Sequence, residues 1–233
     1  MNYPPPSAFH GIYPSTLCPL TTGLTVDEAA LGAHVRSLAQ VDGIAGVLAN
    51  GHAGENFLLS RSEKRRVLDM TRAALGEGQL MVAGVNAESS LEAAEEARDA
   101  EAAGADAIMV FAPNAWALSQ PAPTALRHHQ YIREATALPL MLFQGSVKAG
   151  QMAYSDAVLR ELVRLPGVVG IKEGSWETSA YEATRRLVAE EAPHVAVMAS
   201  GDEHLFTSYV LGSEGSLVSL AVVIPETIVA LDQ

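Results

Sequence analysis

Short apolar runs recur along this chain, each followed by a longer stretch with helical spacing, and the alternation persists almost from end to end. The runs fall at 11–15, 46–49, 80–85, 107–111, 140–143, 168–172, 195–200 and 215–220. They show little period-two polar alternation, so they read as strands buried on both faces, as in a parallel sheet. The intervening segments near 27–40, 60–75, 89–103, 123–136, 155–165, 179–191 and 205–211 carry helical patterns.

Start and stop signals sharpen those boundaries. Thr25-x-x-Glu28, Ser60-x-x-Glu63 and Ser89-x-x-Glu92 match the capping box, in which a hydroxyl and a carboxylate satisfy the first free N–H groups. Gly76 and Gly104 mark helix stops. In "SLEAAEEARDAEAAGA" the small residues suit close packing on a sheet, and the charges read as a solvated outer face.

Eight strands alternating with helices fit either an eight-fold barrel or a doubly wound open sheet. Neither a G-x-G-x-x-G turn nor a Walker lysine loop is present, which favours the (β/α)8 barrel. Beyond the Pro-rich start at residues 4–6, no linker or low-complexity segment divides the chain, so residues 1–233 read as a single barrel domain. The last residues, "IPETIVALDQ", fall where an eighth outer helix begins, and that helix is expected to be truncated.

Composition adds limits. The chain has 233 residues, 48% of them hydrophobic and 18% charged, a size common for α/β barrels. A net charge of −12 disfavours nucleic acid or an anionic membrane as a general partner. The single cysteine, Cys18, excludes an internal disulfide framework and fits a reducing compartment. "MNYPPPSAFHG" lacks a basic start and an apolar core, so it is not read as a signal peptide. The longest apolar stretch, 217–224, is too short to span a bilayer. A cytoplasmic protein is expected.

In a barrel, reactive groups gather where strands end and loops begin. Those places hold "NGHAGE" with His52 and Glu55, "FQGSVKAG" with Lys148, "GIKEGS" with Lys172, and "GDEH". Lys172 ends an apolar run; it is either a charge stepping into water or an amine desolvated into a nucleophile. No metal is expected. His128 and His129 are adjacent on a helix and diverge by about 100°, and the consecutive Asp202, Glu203 and His204 do not converge on one ion. Cys18 reads as inert packing.

Four stretches resemble the dihydrodipicolinate synthase and N-acetylneuraminate lyase family of Schiff-base aldolases. "NGHAGENFLLSRSEKRRVL" is similar to the family's G-T/S-T-G-E turn and the L-S-x-x-E-R that follows. "AGVNAESSLEAAEEARDAEAAGADAIMVFAP", "LPLMLFQGSVKAG" and "GIKEGS" resemble its third-to-fourth strand unit, its tyrosine-bearing fifth strand and its lysine segment. The resemblance implies that the amine of Lys172 forms an imine with pyruvate or another 2-oxo acid, an electron sink that needs no diffusible cofactor. It implies that Gly51, His52 and Ala53 line a carboxylate-binding loop, where converging backbone N–H groups hold an anion, while Glu55 braces that loop. It further implies a homotetramer or homodimer lacking the family's C-terminal helices, and it aligns Trp116 with a segment that in some relatives reaches a neighbouring subunit's site.

The departures are as informative. Phe143 stands where the family has a catalytic tyrosine, and a benzene ring cannot move a proton. His52 and Ala53 replace two hydroxyl residues, although His52 can itself act as an acid or base near neutral pH. Lys148 replaces an arginine, keeping the charge without the bidentate fork. The expected function is therefore a lyase or aldolase on pyruvate or a pyruvate-yielding sugar acid, distinct from dihydrodipicolinate synthase itself. The alternative is a non-catalytic barrel that binds oxo acids.

Overall fold

The computed structural model describes residues 9–233, so the Pro-rich start at 4–6 and most of the segment weighed as a leader lie outside the described residues. Strands and helices alternate as β1 (Gly11–Pro14), α1 (Glu28–Ala39), β2 (Gly46–Ala49), α2 (Arg61–Ala74), β3 (Leu80–Val85), α3 (Ser90–Ala102), β4 (Ala107–Val110) and α4 (Ala122–Ala135). The second half runs β5 (Leu140–Gln144), α5 (Asp156–Val163), β6 (Val168–Glu173), α6 (Thr178–Glu191), β7 (Ala196–Ala199), α7 (Leu205–Val210), β8 (Gly215–Val218) and α8 (Pro225–Asp232).

All strands pair in parallel in the order β1-β8-β7-β6-β5-β4-β3-β2. Parallel bridges from Ile12 to Ile44 and from Ser15 to Leu48 join the two ends. The Ala45 N–H donates to the Ile12 carbonyl and the Thr16 N–H to the Leu48 carbonyl, each at 3.0 Å. The fold is a (β/α)8 barrel. Where β1 meets β8, Gly215 has φ +146°, and a Cβ there would lie 2.2 Å from the Gly11 carbonyl oxygen. Only glycine allows that approach.

Two apolar layers follow from the parallel sheet. Tyr13, Leu48, Val82, Met109, Phe111, Met141, Val169, Met198 and Leu217 fill the barrel interior. Ile12, Ala49, Ala83, Val110, Leu142, Ile171 and Val197 face outward and pack with Ala93, Ala97, Ala100, Ile132, Leu159 and Leu187 of the helices. The alanines of α3 thus bring that helix close to the sheet, as their size suggests.

Among the described residues, side-chain caps account for four of the eight helix starts, those of α1, α2, α3 and α5. Ser60 forms the full capping box with Glu63, and the Ser89 hydroxyl accepts from the Leu91 N–H. Thr25, expected to cap α1, does not do so: the Asp27 carboxylate accepts from the Ala30 N–H, while Thr25 turns to Thr21. The eighth helix, expected to be truncated, forms two turns over Pro225–Asp232 and buries Ile228 and Val229. The charges on α3 are not all solvated. Glu96 is buried, 2.6 Å from the Lys64 ammonium, which also donates to the Asn86 carbonyl at 2.7 Å. Among the described residues, no helix is long and apolar enough to cross a membrane.

One irregularity decides which way Lys172 points. Leu140 pairs with Val168 but Met141 pairs with Gly170, so β6 carries one extra residue between them. Val168 and Ile171 lie in the outer layer and Val169 in the interior. Strict alternation from Val169 would turn Lys172 outward; the bulge restarts the alternation one residue later and turns it inward. Without a side chain at Gly170, the end of Met141 fills the space where a Cβ would lie, 2.8 Å from its Cε.

Candidate active site

Beyond the bulge, the β5–β6 register pairs Phe143 with Lys172, which places their side chains on the same, inner face. Lys172 is buried. Its Nζ donates to the Ser15 hydroxyl at 3.4 Å and sits 5.7 Å from the centre of the Phe143 ring. Burial pushes its pKa down to about 8, against an upward pull from the Asp202 carboxylate. Asp202, on the turn before α7, also accepts from the Leu220 N–H at 3.2 Å. An amine with a pKa near 8 keeps a useful neutral fraction at physiological pH, and the neutral form is the one that attacks a carbonyl.

The turn after β2 closes the other side of this mouth. Asn50 and Glu55 adopt positive φ, 53° and 60°, and bracket a short 3-10 turn at His52–Gly54. Among the described residues, no acceptor is paired with the N–H groups of His52 and Ala53, which lie in the first turn where such groups are free. Gly51 is buried, and a Cβ there would press on the Leu48 side chain at 3.3 Å. Glu55, expected to brace the turn, contacts it through its backbone, where its N–H donates to the His52 carbonyl at 3.3 Å. A side-chain brace comes from Asn56, whose amide donates to the Asn50 carbonyl at 3.0 Å, while the Asn50 amide donates to the Lys64 carbonyl.

The His52 ring packs 4.3 Å from Phe111, 5.1 Å from Phe57 and 5.5 Å from Phe143, centre to centre. Desolvation by these rings and the like charge of Lys172 together hold its pKa below the ordinary histidine value. The residue keeps one side in solvent, so it stays accessible to a ligand. A neutral imidazole here carries one N–H donor and one acceptor nitrogen.

The remaining candidates lie apart from this group. Lys148 is exposed on the 3-10 segment Val147–Met152 and lines a cavity of about 220 Å³ with Trp176, Glu177, Glu203 and His204; neither Lys172, His52 nor Phe143 lines it. Glu173 points away from Lys172, toward α6, where Ser175 and Thr184 hydroxyls donate to it; burial nonetheless pushes its pKa up to about 7. The cleft beside it has about 10 Å³, room for one water. Burial, with the charges of Glu55 and Glu63, pushes the Cys18 thiol up to about 11 and leaves it unreactive. Trp116, aligned with an intersubunit segment, is buried within its own chain against His128 at 5.3 Å. Among the described residues, no group of three or more His, Cys, Asp or Glu side chains could hold a metal ion.

A family model described as the Dihydrodipicolinate synthetase family matches residues 8–232. The chain belongs to that family. A similar member is 4-hydroxy-tetrahydrodipicolinate synthase of Methanothermobacter thermautotrophicus, 30% identical over 217 residues, covering 92% of this chain and 75% of that protein. Another, from Emericella nidulans, is named "Probable 4-hydroxy-2-oxoglutarate aldolase, mitochondrial"; it is 26% identical over 226 residues, covering 95% of this chain and 72% of that one. The fold is also that of YagE, an E. coli K12 prophage protein of the dihydrodipicolinic acid synthase family, solved in complex with pyruvate. The TM-score is 0.87 at 22% identity, covering 95% of this chain and 74% of the other. Named dihydrodipicolinate synthetase family members thus include both synthases and aldolases.

Proposed function

We propose that this protein is a Schiff-base-forming lyase or aldolase acting on pyruvate or a pyruvate-yielding 2-oxo acid. The observation that carries this reading is a buried lysine turned into the barrel mouth, its amine tuned to about 8 and within 3.4 Å of a hydroxyl. In this reading the Lys172 amine attacks the keto carbon, water leaves, and the protonated imine withdraws electrons from C3. The free N–H groups of His52 and Ala53, with Gly51 before them, receive the carboxylate; Lys148, on the neighbouring cavity, contributes positive charge only at longer range. Phe143 shapes the pocket but moves no proton, so that duty passes to His52, with Ser15 holding the amine. A dimer or tetramer of this chain in the cytoplasm belongs to the same reading.

A second reading, a barrel that binds 2-oxo acids without turning them over, is favoured by Phe143 and Ala53, which stand where the family has a tyrosine and a hydroxyl residue. Proton exchange at C3 of pyruvate separates the two. In deuterated buffer, an imine-forming enzyme washes deuterium into the pyruvate methyl group, followed by NMR, and Lys172→Met abolishes the exchange. Pyruvate that binds yet keeps its methyl protons would establish the binding barrel instead.

A further inference from the structure

Four aromatic rings run in an unbroken strip from the rim of the barrel to the Lys172 amine. Phe57 stands 5.1 Å from His52, His52 4.3 Å from Phe111, and Phe111 5.0 Å from Phe143, whose ring centre is 5.7 Å from Nζ. Their planes are tilted by 36°, 32° and 54°, and His52 stands edge-on to Phe143 at 82°. The rings come from three places in the sequence: the turn after β2, the residue after β4, and β5.

Core packing accounts for Phe111, which is 1% exposed, and in part for Phe143, but not for Phe57 or His52. Phe57 leaves 53% of its surface in water, His52 is exposed and Phe143 is half-buried. Keeping apolar surface at a mouth costs about 25 cal/mol per Å² relative to burying it, so such a strip marks a place where something apolar is meant to sit. The strip has no hydroxyl, carboxylate or guanidinium of its own. Its one polar group is the His52 imidazole, for whose ring nitrogens no hydrogen bond exists among the described residues. Along the strip a polyhydroxylated aldehyde would find one side-chain partner, the His52 imidazole, whereas an aryl group would cover the exposed rings.

We propose that the strip binds the second substrate of the reaction, and that this substrate is an aryl aldehyde. The inference rests on the imine-forming reading of Lys172. Pyruvate condenses with the amine and releases water; His52 takes a proton from C3, giving the enamine. C3 then bonds to the aldehyde carbon, the carbonyl electron pair moves to oxygen, and the His52 proton goes to that oxygen. Water hydrolyses the imine, freeing Lys172 and a 4-aryl-4-hydroxy-2-oxo acid. The aryl group lies between Phe57 and Phe143, over the exposed side of His52 that the buried Phe111 ring backs, and its carbonyl reaches the imidazole.

The test uses the full chain with pyruvate and either benzaldehyde or glycolaldehyde, with aldol product followed by liquid chromatography and the imine trapped in parallel with borohydride. The strip requires kcat/KM for benzaldehyde to exceed that for glycolaldehyde by about tenfold or more, the scale of one aromatic contact. Phe57→Ala, a change on an exposed turn, should raise KM for benzaldehyde several-fold and move KM for glycolaldehyde less. If pyruvate is trapped on Lys172 but benzaldehyde is no better than glycolaldehyde, or neither turns over, the aryl inference is overturned and the imine reading stands. If no imine is trapped, both fall.

Discussion

Replacing Lys172 by methionine should stabilise this protein at neutral pH, because the folded chain holds the ammonium form in a place that disfavours it. The amine falls from an ordinary 10.5 to about 8 on folding. At 1.36 kcal/mol per pH unit, that difference corresponds to about 3 kcal/mol of folding free energy given up when the group is charged in both states. The sign follows from proton uptake. Between pH 8 and 10.5 the unfolded chain holds the proton and the folded chain has released it, so stability rises with pH across that window. Below pH 8 the whole penalty is present. Methionine removes the charge, keeps a similar length and can pack against Phe143. Urea denaturation of both proteins should therefore show Lys172→Met more stable by about 3 kcal/mol at pH 7, with the gap closing as pH approaches 10.5. Measuring the difference between the two proteins cancels other titrating groups. A gap of under about 0.5 kcal/mol at pH 7, the range of an ordinary surface substitution, would refute the burial argument, as would a gap that does not change with pH.

Two further outcomes follow from the charges around the barrel. Glu96→Ala leaves the buried Lys64 ammonium with only the Asn86 carbonyl, and should cost about 3–5 kcal/mol by urea denaturation, against little for a solvated ion pair. Asp202→Asn removes the carboxylate that pulls the Lys172 pKa upward, while an amide oxygen can still accept from the Leu220 N–H. The pH midpoint for pyruvate capture should therefore move to lower pH; a midpoint that stays in place or rises would exclude Asp202 as the partner.

The repeating unit of this fold was legible because parallel strands buried on both faces leave continuous apolar runs. Each strand and the first seven helices fall within a few residues of the pattern in the sequence. Local competition escaped it: Asp27 stands next to α1 and outcompetes Thr25, a choice that spacing alone does not reveal. The inward aim of Lys172 also escaped, because it depends on an extra residue at 168–170 that is visible only in the pairing with β5. The neighbours of Lys172 are legible only in part. Phe143 stood out as a departure from a family motif, but Ser15 is 157 residues away and reaches the amine across the barrel. Phe111 and Phe57 read as ordinary strand-end and loop residues until closure of the barrel brings them to His52. Glu96 misleads for the opposite reason. A charge in an alanine-rich helix resembles its solvated neighbours, and only the packing of α2 against α3 sets it opposite Lys64.

The central claim is that the Lys172 amine captures a keto acid. Incubation with pyruvate and borohydride, followed by peptide mass spectrometry, tests it most directly. The account requires an irreversible reduced adduct on the peptide carrying Lys172, formed faster as pH rises toward 8 and absent in Lys172→Ala. No adduct with pyruvate or with longer 2-oxo acids, or an adduct confined to exposed lysines such as Lys148, would contradict it.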